Sequence, residues 1–125
     1  MAAGRVEMSP QVQQMYQQYV QVQQNLEAVK VQKAQLEAQM RESERSLETL
    51  KEAEADAAVY RMVGGLLVKA KDKEGVQKEI EERKETIEIR VRALDSQEKA
   101  LKERFQSLHE QLSKILSGGG MGSGG

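Results

Sequence analysis

A chain of 125 residues with one Phe, three Tyr, no Trp and no Cys has little from which to build a compact core. Ala, Glu, Lys, Leu and Arg make up close to half of it, which is the composition of coiled coils and long helices. A formal charge of −1, from 19 basic and 20 acidic residues that intermix, argues against nucleic acid or an anionic membrane as main partner, since both need a basic stripe.

Without Cys there is no disulfide framework and no thiolate chemistry, which fits a reducing compartment. Residues 1–8 carry no periodicity and no apolar core of the signal-peptide kind, so they are expected to be disordered. No apolar run approaches the roughly 20 residues that span a membrane. The expectation is one soluble, cytoplasmic domain.

A first helix begins at Ser9-Pro10, where Ser caps and Pro is tolerated at the first helical position. From Val12 onward apolar residues recur at alternating steps of three and four. They are Val12, Met15, Tyr19, Val22, Leu26, Val29, Leu36, Met40, Leu47 and Leu50, with Lys33 and Ser43 at two polar steps. This is a heptad seam, and neither Gly nor Pro interrupts it. The spacing predicts a helix to about residues 55–58, about 70 Å long at 1.5 Å per residue.

Helical periodicity stops at Val59-Tyr60-Arg61-Met62-Val63-Gly64-Gly65-Leu66-Leu67-Val68-Lys69. Two short β-favouring runs flank a Gly-Gly pair, a strong signal for a two-residue hairpin turn. With Gly64-Gly65 as the turn, Val63 pairs with Leu66, Met62 with Leu67, Arg61 with Val68 and Tyr60 with Lys69. One face then shows Val59, Val63, Leu66 and Val68, and the other Tyr60, Met62 and Leu67. Both faces are apolar. An isolated hairpin is marginal in water and its edges template further pairing. A plain helix–helix connection needs only two to eight residues, often polar. The expectation is that hairpins of several subunits join into a larger sheet or barrel.

A second helix starts near Asp72, a plausible cap, with Gly75 weakening the first turn. Its seam reads Ile80, Lys84, Ile87, Val91, Leu94, Glu98, Leu101, Phe105, Leu108, Leu112 and Ile115. The run Ile87-Glu88-Ile89-Arg90-Val91-Arg92 alternates like a strand. It is read as helix because Ile87, Val91 and Leu94 continue the heptad, and Glu88 pairs with Arg92 at i,i+4.

The two seams mirror each other. Val12 with Ile115, Met15 with Leu112, Tyr19 with Leu108, Val22 with Phe105, Leu36 with Val91, Met40 with Ile87, and Leu47 with Ile80 share one sum of residue numbers. The mirror centre falls between Val63 and Gly64, so the helices locate the bend independently of the glycines. Polar seam residues Lys33, Ser43, Lys84 and Glu98 are read as side chains that reach out of a thin seam. Residues 118–125 are expected to be a flexible Gly-rich tail.

Catalytic and metal-ligating sets are absent from this pattern, and no cofactor is implied. His109 has no Cys or Asp near it and reads as a surface residue. Gly64-Gly65 is too short to cradle a phosphate. Glu37, Glu79, Glu98 and Glu110 each precede a base by four residues, as on solvated helix faces. The sequence is not that of an enzyme and gives no sign of ATP use.

Between Met8 and Leu26 there is no charged residue, and eight of the fourteen residues 11–24 are Gln. Here the apolar stripe is wider than a two-helix seam requires, because Tyr16 and Val20 lie beside Met15 and Tyr19, and Leu116 beside Ile115. Such a surface re-packs around varied partners.

The run 59–69 resembles the hairpin signature of the prefoldin family, Val-Tyr-x-x-Val/Ile-Gly-x-hydrophobic-Leu-Val-Lys, with Gly65 at a variable position. The flanking heptads are similar to that family's coiled coils, so the likeness covers about residues 9–117. A single hairpin resembles the archaeal β-type subunit, and the Gly-rich tail departs from the pattern. The resemblance implies a mainly α fold: a long antiparallel two-helix coiled coil with one β-hairpin at about 57–70. It also implies a hexamer of two α-type and four β-type subunits whose hairpins form the barrel through Val59, Tyr60, Met62, Val63, Gly64, Gly65, Leu66, Leu67 and Val68. It implies an ATP-independent chaperone that holds unfolded client proteins at its coiled-coil tips and passes them to a group II chaperonin. The client role then falls on Val12, Met15, Tyr16, Tyr19, Val20, Phe105, Leu108, Leu112, Ile115 and Leu116. The competing expectation is an adaptor coiled coil that spaces two defined partners.

Overall fold

The computed structural model describes residues 9–122, with side chains described as far as residue 117. The disorder expected of residues 1–8 lies outside the described residues. The order of elements is α1 (Pro10–Glu52), β1 (Tyr60–Val63), β2 (Leu66–Lys69) and α2 (Lys73–Gly122). The chain divides into two compact units: a hairpin unit of residues 32–94, and a terminal unit of the residues up to 31 together with those from 95.

In the terminal unit α1 starts as the sequence predicts. The Ser9 hydroxyl accepts the Val12 N–H at 3.2 Å, and the Ser9 carbonyl accepts the Gln13 N–H at 2.9 Å. Pro10 takes the first helical position, where its missing N–H costs nothing. Val22, Leu26, Val29, Leu108 and Leu112 are buried and form the seam. Glu98, on the same seam, is half-buried and its carboxylate meets Lys102 at 3.7 Å. α2 is described to Gly122, past the boundary expected at residue 117. Helix propagation still adds a hydrogen bond per residue there, although each Gly costs about 1 kcal/mol against Ala.

In the hairpin unit Leu36, Ile87 and Val91 form a buried cluster with Met40 and Leu94 packed against it, which agrees with the mirrored pairs. Ile87 and Val91 are buried while Ile89 is 58% exposed, so the strand-like alternation is resolved as one helix face. Glu88 meets Arg92 at 3.9 Å, the expected i,i+4 pair. Ser43 is buried on the seam. Val76 is also buried, four residues ahead of Ile80, and extends the seam one turn beyond the sequence reading.

The first helix ends at Glu52, short of the expected 55–58, although residues 53–58 are mostly Ala. Lys73, the first residue of α2, reaches back so that its Nζ donates to the Ala53 carbonyl at 2.7 Å. A cation on the last carbonyls is a favourable helix end. Ala57 N–H then donates to the Glu54 carbonyl at 3.0 Å in a turn, and the chain proceeds to β1. A tertiary contact overrides local helix propensity here.

Asp72 caps α2 as predicted, its carboxylate accepting the Gly75 N–H. A Cβ on Gly75 would lie 2.9 Å from that carboxylate oxygen. Gly75 is thus better read as room for the cap than as a weak first turn.

Candidate functional site

The hairpin is built from its turn outward. Gly64 has φ 60° and is the only described glycine with positive φ, the pattern of a type II′ turn with Gly at its first central position. Its mirror-image twist matches the strands it joins. The register is the predicted one: Tyr60 with Lys69, Arg61 with Val68, Met62 with Leu67 and Val63 with Leu66. The Ala70 N–H donates to the Val59 carbonyl at 2.8 Å and extends the ladder by one step.

Val59 and Arg61 are half-buried against the helices of the same unit, and Val59 and Tyr60 share a cleft with Leu50, Val76 and Ile80. Arg61 also meets Glu79 at 2.8 Å, so Glu79 bonds across elements besides lying four residues from Arg83. The other strand residues stand in the open. Met62 is 73% exposed and Leu66 and Leu67 are each 69% exposed; Tyr60, Val63 and Val68 are also exposed. Among the described residues the sheet has two strands, so each presents one unpaired edge. Apolar side chains on both faces and free backbone edges form a surface suited to more strands.

The terminal unit presents a different surface. Tyr19 acts as a knob on α1. Its ring stacks on Phe105 at 4.7 Å and 19°, and its hydroxyl meets His109 Nδ1 at 3.2 Å. Phe105 and His109 are one turn apart on α2 and flank the hole that Tyr19 enters. The mirror pairing put Tyr19 opposite Leu108 and Val22 opposite Phe105. The ring is large enough to bridge two layers, and His109, although exposed, is engaged rather than a bare surface residue. Tyr16 adds a tilted contact with Tyr19 at 6.3 Å.

Of the residues expected at the tip, Leu108 and Leu112 are buried and hold the helices together. Val12, Met15, Tyr19, Val20 and Phe105 are half-buried. Tyr16 at 49%, Ile115 at 38% and Leu116 at 55% are exposed. The exposed apolar surface is therefore narrower than the sequence set. Among the described residues no group of three or more His, Cys, Asp or Glu is placed to hold a metal ion. No helix among them is long and apolar enough to cross a membrane.

A helix–hairpin–helix chain with open apolar strands at the bend and apolar side chains beside a paired-helix seam defines a coiled-coil protein with a β-hairpin between its helices. Its sequence matches the family described as prefoldin subunit over residues 13–119. It is 47% identical over 111 residues to the prefoldin subunit beta of Archaeoglobus fulgidus, covering 89% of this chain and 95% of that one. It is 41% identical over 110 residues to the corresponding subunit of Methanosarcina acetivorans, covering 88% and 93%. The crystal structure of the prefoldin beta subunit from Thermococcus strain KS-1 superposes with a TM-score of 0.80 at 36% identity, covering 88% of this chain and 96% of that one. The chain belongs to the prefoldin family, and these relatives are its β subunits. The family is one of non-enzymatic chaperones, whose β subunits form hetero-oligomers with α subunits.

Proposed function

We propose that the chain is the β-type subunit of an ATP-independent holdase, a cytoplasmic hexamer of two α-type and four β-type subunits. The hairpins join edge to edge into the central barrel. The terminal unit holds non-native protein, which is passed to a group II chaperonin. The observation that carries the holding role is the exposure of Tyr16, Ile115 and Leu116 beside an α1 segment with no charged residue. Exposed apolar groups in an uncharged setting favour loose, geometry-tolerant contacts over a single defined partner.

The test is binding of the assembled complex to native and denatured forms of several unrelated proteins. A holdase binds the denatured forms of most of them, and replacing Tyr16, Val20 and Leu116 by Ser weakens that binding without changing the mass of the complex. Saturable binding to one native protein, with no preference for denatured ones, would refute the proposal in favour of a spacer.

A further inference from the structure

The apolar shoulder of the terminal unit has an unusual border. Gln14, Gln17, Gln21 and Gln24 each follow a seam residue by two positions, about 200° further round the helix. They form a continuous outer stripe of carboxamides, and all four are exposed. Tyr16 and Val20 lie on the helix between this stripe and the seam. On α2 of the same unit the corresponding outward positions include Glu103, Glu110 and Lys114, which are exposed and charged. Over residues 10–26 α1 therefore offers an uncharged exterior, with Glu27 and Lys30 following it, while α2 of the same unit offers an ionic one.

A carboxamide is donor and acceptor at once, with two N–H groups and a carbonyl oxygen. An extended polypeptide shows alternating backbone N–H and C=O groups of the same kind, whatever its sequence. A stripe of Gln beside an aromatic shoulder can satisfy backbone groups while the shoulder takes an apolar side chain. Gln21 also donates to Asn25, Nε2 to Oδ1 at 3.0 Å, a bond in which its own carbonyl oxygen takes no part. A surface without charge exerts no steering field and meets no screening.

Resting on the reading of this unit as the client-holding end, we propose that its α1 face selects extended, charge-poor stretches of unfolded polypeptide. Tyr16 and Val20 take apolar side chains, the four glutamines take backbone groups, and ionic attraction contributes nothing.

The test uses the assembled complex and three synthetic unfolded polypeptides: one nearly uncharged, one enriched in Glu and one in Lys. Affinity for the uncharged polypeptide should change by less than about twofold between about 0.1 M and about 1 M NaCl, where the Debye length shrinks from about 10 Å to about 3 Å. The variant Gln14→Glu/Gln17→Glu/Gln21→Glu/Gln24→Glu keeps good helix formers on the stripe. At about 0.1 M it should bind the Glu-rich polypeptide about tenfold more weakly than wild type and the Lys-rich one more tightly, and both differences should collapse at about 1 M. The single Gln17→Glu variant should shift both in the same directions by less. A wild-type affinity that falls about tenfold with salt, or variants that match wild type toward all three polypeptides at low salt, overturns the proposal. Capture of none of the three at either salt overturns the holding role itself.

Discussion

The hairpin unit and the terminal unit both leave apolar side chains in solvent, yet the two exposures differ in kind. Met62, Leu66 and Leu67 belong to strands whose edges still have unpaired N–H and C=O groups. A partner must bring a strand in the right register and direction, so this surface demands a defined geometry. Tyr16, Ile115 and Leu116 stand on helices whose backbone groups are already bonded internally. No ladder dictates how an occupant lies there. Under the proposed roles, apolar exposure serves selectivity in one place and tolerance in the other, and the backbone makes the difference.

The largest effects are expected in the two seams, which should respond alike because both are thin and apolar. Leu36→Ala in the hairpin unit and Leu26→Ala in the terminal unit should each cost about 2–3 kcal/mol, read from urea denaturation followed by circular dichroism. A loss of only a few tenths at either site would show a seam that does not support its unit.

The turn comes next. Gly64→Ala forces a side chain into a left-handed conformation and should destabilise the hairpin by about 1–2 kcal/mol. Gly65→Ala meets nothing within 4 Å, has no positive φ, and should stay within about 0.5 kcal/mol. Thermal melts of the complex should separate the two, and equal melting points would refute the turn assignment.

Smaller shifts are expected at polar links. Tyr19→Phe keeps the stack on Phe105 and loses the bond to His109, a net change of about 0.5–1 kcal/mol at most for an exposed pair. Amide exchange should quicken around residues 105–109 and stay unchanged in the hairpin. Glu79→Gln weakens an exposed ion pair with Arg61 and should cost about 0.5 kcal/mol or less. Raising the salt concentration should erase the difference between Glu79→Gln and wild type; a gap that persists would place Glu79 in a role beyond the ion pair.

Much of the fold was legible because its signals are local or strictly periodic. The switch from steps of three and four to Val-Tyr and Leu-Leu-Val runs around Gly64-Gly65 fixed the hairpin register, and the mirrored seams located the same bend. Ser9 and Asp72 announced their helices as caps. Three of the misses are contacts between segments remote in sequence. Residues 53–58 look helical, yet α1 stops at Glu52, where Lys73 reaches back to the Ala53 carbonyl. Glu79 has Arg83 four residues on, yet the hairpin brings Arg61 to it. Pairing seam residues one to one cannot show that Tyr19 sits between Phe105 and His109, because a knob meets a hole and not a single residue. Val76 was hidden by its neighbour Gly75, which reads as a helix fault until the Asp72 cap is seen beside it. At the candidate surfaces most of the hairpin set is exposed, Val59 being half-buried. The sequence reading grouped Leu108 and Leu112 with the client surface, although seam positions are buried by the pairing that the same sequence predicts.

In the proposed function the strands serve assembly and the terminal unit does not. Native mass spectrometry of the chain mixed with an α-type subunit tests it, comparing wild type with Val63→Asp/Leu67→Asp. The wild-type mixture should give the mass of two α-type and four β-type chains. The variant should remain helical but appear as free chains and small species. A variant spectrum with the full complex at wild-type abundance would contradict assembly through the strands.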